Sequence, residues 1–258
     1  FPTLCHFRPL FLKIDFRFQD SVYCCGDDHD YYMHAETIAV DFDLDYTNQM
    51  EGIETRRFYN EGKFAPTGFI GSGIYASPFL FIGHLIDKLV TGNANLNNEI
   101  MNFRLLLYSL SPIFYFFLSV NLITRVLDIL NYKYKPFLIY LIFFGSGVSY
   151  YAFERFSMTH VYESFSVILI FYLSLKYFST TDNKLFGFLI PFAIALGISV
   201  KWVNYFLFLI PFFAKKLLLE KGKVKNGKLL NNKFFILSTF ASTVLFLLHT
   251  KILYGVYT

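Results

Sequence analysis

Two adjacent carboxylates, Asp27 and Asp28, follow Gly26 in the stretch "CCGDDHDYYMHAETIAV". Ionised carboxylates at a helix start can accept a proton from a hydroxyl or hold a metal ion; they can also simply cap a surface helix. Taken locally, capping is the simpler reading. "HDYYMHAETIAV" has the composition of a short helix, with Asp28 as its N-cap. His29 and His34 stand among Asp27, Asp28 and Asp30, and Asp30 and His34 share a helical face. A metal centre would need a further His or Glu set at ligand spacing, and the sequence offers none, so no metal is expected. Asp41, Asp43 and Asp45 alternate in "DFDLDYTNQ". An EF-hand loop would need Gly at its sixth position and Glu at its twelfth. Tyr46 and Gly52 stand there instead, and the stretch reads as a solvated turn that ends the helix.

Further along, "FERFSMTHVYE" supplies Arg155, His160 and Glu163, and "SVKWVN" supplies Lys201. Cations beside a departing phosphate would stabilise its developing charge. The plain alternatives are interfacial snorkelling for Arg155 and Lys201, and a helix-start polar pair for His160 and Glu163.

The elements that must position these groups are apolar. Only 16% of the 258 residues are charged, against about 25% in a soluble domain. Hydrophobic residues make up 55%, with 34 Phe and 19 Tyr, and the mean hydropathy is +0.43. This is the composition of an all-α integral membrane protein with several spans, so the lipid bilayer is its first partner. The net charge of +4 comes from basic residues set between apolar runs, not from a stripe interleaved with exposed aromatics, and nucleic acid is excluded as a partner. Cys5, Cys24 and Cys25 include one adjacent pair and no CxxC; they read as ordinary thiols. The sequence starts without Met, shows no signal peptide, and stops without a polar tail, so a fragment truncated at both ends is expected; residues 1–20 would be the frayed end of a lost helix.

Apolar runs predict about six spans, at 103–123, 136–153, 161–178, 185–200, 202–214 and 234–248, in one membrane domain over 1–258. Residues 21–100 form a large first outer loop with short interfacial helices. Within it, "TGFIGSGIYASPFLFIGHLIDKL" is interrupted by Gly71, Gly73 and Pro78, and reads as a re-entrant or interfacial segment. The run 185–214 holds about thirty residues, too many for one straight span and too few for two of ~20. The most basic loop, "KKLLLEKGKVKNGKLLNNK", belongs on the cytoplasmic side with Arg125 and Lys133, so the chain must turn near Lys201-Trp202 in a short helical hairpin. This arrangement brings Asp27, Asp28, Arg155, His160 and Lys201 to one extracytoplasmic face.

Four stretches in order carry a resemblance. "GDDHDYYMHAETIAVDFDLDYTN", "EGKFAPTGFIGSGIYASPFLFIGHLI", "SMTHVYESFSVILIFYLSL" and "ALGISVKWVNYFLFLIPFF" resemble the first outer loop, the following amphipathic segment, the second outer loop and the hairpin of C-type (GT-C) membrane glycosyltransferases. The resemblance is to the bacterial RgtA/B/C/D-like and ArnT-like enzymes and the protein mannosyltransferases of glycosyltransferase family 39, and it covers about residues 24–258. It implies transfer of a sugar from a polyprenyl-phosphate donor to a lipid, glycan or protein acceptor outside the cytoplasm, in the plasma (inner) membrane, with no cofactor. It implies Asp27 as base and Asp28 in the place of the family's Glu. It implies Lys201 as the basic residue of the hairpin, standing where the family often has Arg, with Trp202 where it has Pro; the topology adds Arg155 and His160 on the same face as further cations for the donor phosphate. The alternative is a transporter or flippase subunit for lipid-linked sugars; such proteins carry ionisable residues inside their spans near the midplane, and the interiors of these runs are almost free of charge.

Overall fold

The computed structural model describes residues 26–50, 57–60, 62–91, 103–181, 184–225 and 229–255. The expectations for Cys5, Cys24, Cys25 and residues 1–20 fall outside them. The order is helix α1 (Gly26–Glu36), a π-helical turn (Thr37–Asp41), a two-stranded hairpin of β1 (Arg57–Asn60) and β2 (Lys63–Pro66), and α2 (Ile70–Thr91). Then come α3 (Phe103–Ile129), α4 (Pro136–Phe144), α5 (Gly147–Phe153), α6 (His160–Ser179) and α7 (Lys184–Val200). A 3-10 helix (Trp202–Leu209) leads into α8 (Ile210–Glu220), and α9 (Lys233–Tyr254) completes the order.

Four of these helical stretches are long and apolar enough to cross a membrane: Phe103–Ile129, His160–Ser179, Trp202–Glu220 and Lys233–Tyr254. The expected span at 136–153 is not straight. It is α4 and α5, bent by 72° between Phe144 and Gly147. The sequence there is "FFGSG", and glycine with serine is a common cause of a sharp bend. Counted as one, the pair makes a fifth crossing. The expected span 185–200 is α7, only 17 residues, or about 25 Å at 1.5 Å per residue. Length and composition therefore support four or five crossings where about six are expected from the sequence.

Contacts show that successive helices alternate between two ends of the bundle. At one end, Lys223 Nζ donates to Ile129 O at 2.7 Å, Lys225 N donates to Phe178 O, and Asn232 Nδ2 donates to the Tyr177 hydroxyl. These contacts gather the ends of α3, α6 and α8 and the start of α9, with Lys221 lying 4.0 Å over the Tyr132 ring. At the other end, the link between α5 and α6 meets α1 through Arg155 and Asp28, and a Cβ on Gly71 at the start of α2 would lie 2.3 Å from Val200 N at the end of α7. The chain does turn at Lys201. A Cβ on Gly197 would touch Leu207 Cδ1 at 2.6 Å, and Asn204 Nδ2 donates to Gly197 O, contacts that a straight helix could not make. The hairpin expected at Lys201-Trp202 is present, its second arm opening as a 3-10 helix.

The segment carrying Gly71, Gly73 and Pro78 is one continuous helix of 22 residues, not a broken one. Proline removes an N–H and strands the carbonyl four residues back. Here the hydroxyl of Ser77 donates to Ile74 O at 3.0 Å, the very carbonyl that Pro78 leaves without its helical donor. Ser111 does the same for Pro112 in α3, donating to Tyr108 O at 2.7 Å. The glycines let helices close up: a Cβ on Gly73 would sit 2.4 Å from His34 Cβ, and one on Gly83 would sit 2.6 Å from Arg104 Cα. Under the polar end lies a cluster of tyrosines. Tyr75 stacks on Tyr162 at 5.6 Å, Tyr75 hydrogen-bonds Ser166, and Tyr162 hydrogen-bonds Ser111.

Candidate functional site

Helix α1 begins at Gly26, so Asp27 and Asp28 occupy its first turn; Asp28 is not the N-cap expected from the sequence. Both carboxylates still meet the positive end of the helix dipole. Their surroundings differ. Asp27 is half-buried, whereas the Asp28 side chain is only 2% exposed, and its Oδ2 accepts from Arg155 Nη2 at 3.1 Å. Arg155 lies in the link between α5 and α6, so this pair clips the first described helix to the middle of the chain.

The rest of α1 is held from below. Asp30 is buried and accepts from the Thr67 hydroxyl at 2.9 Å. His34 is fully buried, with Nε2 donating to Gly68 O at 3.0 Å and Nδ1 accepting from the Tyr46 hydroxyl at 2.7 Å. The carbonyl has only lone pairs to offer, which fixes the tautomer. Burial holds the imidazole neutral and lowers its pKa to about 4. Gly68 O also accepts from the Tyr254 hydroxyl, so α9 closes onto the same point. Both His34 nitrogens are thus engaged, and among the described residues no group of three or more His, Cys, Asp or Glu side chains is gathered to hold a metal ion. Asp41, Asp43 and Asp45 tie their own loop: Asp41 takes Asn48 and Gln49, Asp43 takes the backbone N of Asp45, and Asp45 takes the Thr47 hydroxyl at 2.6 Å. That last hydrogen bond keeps the Asp45 carboxyl below its ordinary range.

A second ion cluster sits on the first turn of α6. Glu163 Oε2 lies 3.7 Å from His160 Nδ1 and 3.7 Å from Lys201 Nζ. All three side chains are partly exposed, from 24% for Glu163 to 37% for His160. His160 and Glu163 border a groove of about 580 Å³ whose other wall is the bent α4–α5 pair, with Ile142, Phe143, Val167 and Ile168 lining it. The ring of Tyr151 packs on His160 at 4.1 Å. The groove runs between α6 and the bent α4–α5 pair. A separate apolar cavity of about 310 Å³ between α7, α8 and α9 lies along Pro191, Pro211 and Phe235 and holds none of these ionic groups.

Of the residues singled out from the sequence, Asp28 and Arg155 come together, and so do His160 and Lys201, through Glu163. The three cations do not form one cluster of free positive charge; each faces a carboxylate. The sequence pairs Glu163 only with His160 at the helix start; its second ion pair, to Lys201, has no local signal. A third cluster was missed altogether. Arg104 is buried, 3.7 Å from Glu36 and 3.6 Å from Asp87, and Asp87 also accepts the backbone N–H groups of Phe103 and Arg104 at the start of α3. Burial pushes the Glu36 carboxyl up, against the pull of Arg104. An arginine one residue into a long apolar helix was the available signal. No family model, no curated protein and no solved structure matches the chain.

Proposed function

We propose that this chain is a membrane glycosyltransferase that takes a sugar from a polyprenyl-phosphate donor and passes it to a lipid, glycan or protein acceptor at the outer face of the plasma membrane. The observation that carries the reading is that a half-buried Asp27 beside the Asp28–Arg155 pair stands at the same end of an apolar bundle as the His160–Glu163–Lys201 cluster, whose His160 and Glu163 border an apolar groove. A lipid-phosphate donor needs such an arrangement, since its chain stays in the bilayer while its sugar sits at the surface. The basic residues at the opposite end, Lys221, Lys223 and Lys225 with Arg125, support a cytoplasmic assignment for that end.

In this reading the acceptor hydroxyl gives its proton to Asp27 as its oxygen bonds to the anomeric carbon. The bond from that carbon to the phosphate oxygen breaks, and polyprenyl phosphate leaves with the electron pair. Lys201 and His160 stabilise the charge that develops on the leaving oxygen. Asp28 holds Arg155 and fixes the first turn of α1, so the two adjacent carboxylates have separate work. The span interiors support an enzyme over a transporter: 105–124, 164–175, 185–200, 202–214 and 234–248 contain no Asp, Glu, Lys, Arg or His.

The test is Asp27→Asn in the full-length protein, assayed for sugar transfer from a polyprenyl-phosphate donor. Loss of the base should lower the rate by about 10²–10⁴-fold with the fold intact. Unchanged transfer would remove Asp27 from the role.

A further inference from the structure

His160 from α6 and Lys201 from the α7–α8 turn approach the same atom, Glu163 Oε2, both at 3.7 Å. These are ion-pair distances, longer than hydrogen bonds. A lysine and a histidine from separate elements converging on one anionic oxygen form the arrangement that a phosphate oxygen would need, and here a protein carboxylate supplies it. His160 and Glu163 of this cluster line the groove between α6 and the bent α4–α5 pair, where a lipid tail has an apolar wall to lie against.

We infer that Glu163 is a specificity-determining residue that limits the anion site at Lys201 and His160 to a single negative charge, admitting a lipid phosphodiester and expelling the phosphomonoester that remains after transfer. The inference rests on the donor-site reading above. Charge counting carries it. Lys201 contributes one positive charge, His160 at most one, and Glu163 one negative charge, while the charge of Arg155 faces Asp28. The net positive charge offered to a ligand is therefore between zero and one. A sugar linked to a lipid phosphate is a diester with one negative charge. Loss of the sugar leaves a monoester, which carries about −1.5 to −2 at pH 7. The added charge meets the partly buried Glu163 carboxylate at close range. The same carboxylate that seats the two cations before the donor arrives therefore favours release of the spent lipid.

The experiment titrates the purified full chain with farnesyl methyl phosphate, farnesyl phosphate, farnesol and inorganic phosphate, counting bound ligand by native mass spectrometry. Trp202, the only tryptophan in the chain and the neighbour of Lys201, reports occupancy by fluorescence. The native protein should prefer the diester over the monoester and bind farnesol and inorganic phosphate more weakly than either. In Glu163→Gln and Glu163→Ala the monoester should tighten by roughly ten-fold or more, with the diester moving much less. Lys201→Gln should weaken both. If the diester-to-monoester ratio is the same in the native protein and both Glu163 variants, the charge limit is overturned while the donor site stands. If neither lipid phosphate binds better than farnesol, the donor reading falls and the inference with it.

Discussion

Arg155 Nη2 lies 3.1 Å from Asp28 Oδ2, joining residues 127 positions apart across the polar end of the bundle. The carboxylate is almost wholly buried and the guanidinium three-quarters so. Arg155→Met should therefore cost about 2–4 kcal/mol, and Asp28→Asn a similar amount. The double variant should cost clearly less than the sum, with a coupling energy of about 1–3 kcal/mol. Thermal unfolding in detergent measures the cycle, and additive losses would mean that the pair contributes nothing as a pair.

His34 gives the protein a defined response to acid. Its folded pKa of about 4 lies below the ordinary histidine value of 6.5, so between those values the unfolded chain binds the proton and the folded chain does not. The stability this neutral ring contributes is fully present above pH 6.5 and is lost as pH falls towards 4. The loss should approach about 3 kcal/mol at the low end of the window. Melting temperature followed from pH 7 to pH 4 checks this, and His34→Gln should flatten the curve over that window.

Close helix approach can be tested at one position against another. Gly71→Ala forces a Cβ to within 2.7 Å of three backbone atoms of Ser199 and Val200, whereas nothing lies within 4 Å of a Cβ on Gly147. The first change should cost about 1–3 kcal/mol or more, and the second less than about 1 kcal/mol. Equal effects would refute the packing of α2 on the end of α7.

The alternation of helices between two ends predicts a labelling pattern. In a background lacking Cys5, Cys24 and Cys25, Asp43→Cys should react with an impermeant maleimide from outside intact cells. Glu220→Cys should react only after permeabilisation. Both side chains are exposed. The opposite pattern would invert the protein in the membrane and place its ion pairs in the cytoplasm.

The features legible in the sequence were those with a period or a parity. Apolar runs marked α3, α6 and α9, and the basic loop forced the reversal at Lys201 before any contact was known. The bend at Gly145 to Gly147 was passed over because an apolar run has the same composition whether straight or broken. Pro78 misled for a related reason: the pattern counts the proline and not the serine beside it, whose hydroxyl takes up the stranded carbonyl. The pairings within the site were out of reach. Parity puts Asp28 and Arg155 on one face, but it does not say that Arg155 serves Asp28 while Lys201 serves Glu163. Those choices depend on where the α5–α6 link and the α7 turn emerge, which is a matter of packing among residues far apart in the chain.

The reach of the Arg155–Asp28 contact also sets a schedule. A ribosome adds about 5–20 residues per second, so Asp28 leaves it roughly ten seconds before its guanidinium partner exists. Gly68 O waits longer for the hydroxyl of Tyr254, at the far end of α9. The contacts that fix the acidic segment therefore close late in synthesis, after most of the apolar helices have been made. A nascent chain halted before Arg155 would leave the Asp28 carboxylate without the guanidinium it faces in the finished fold.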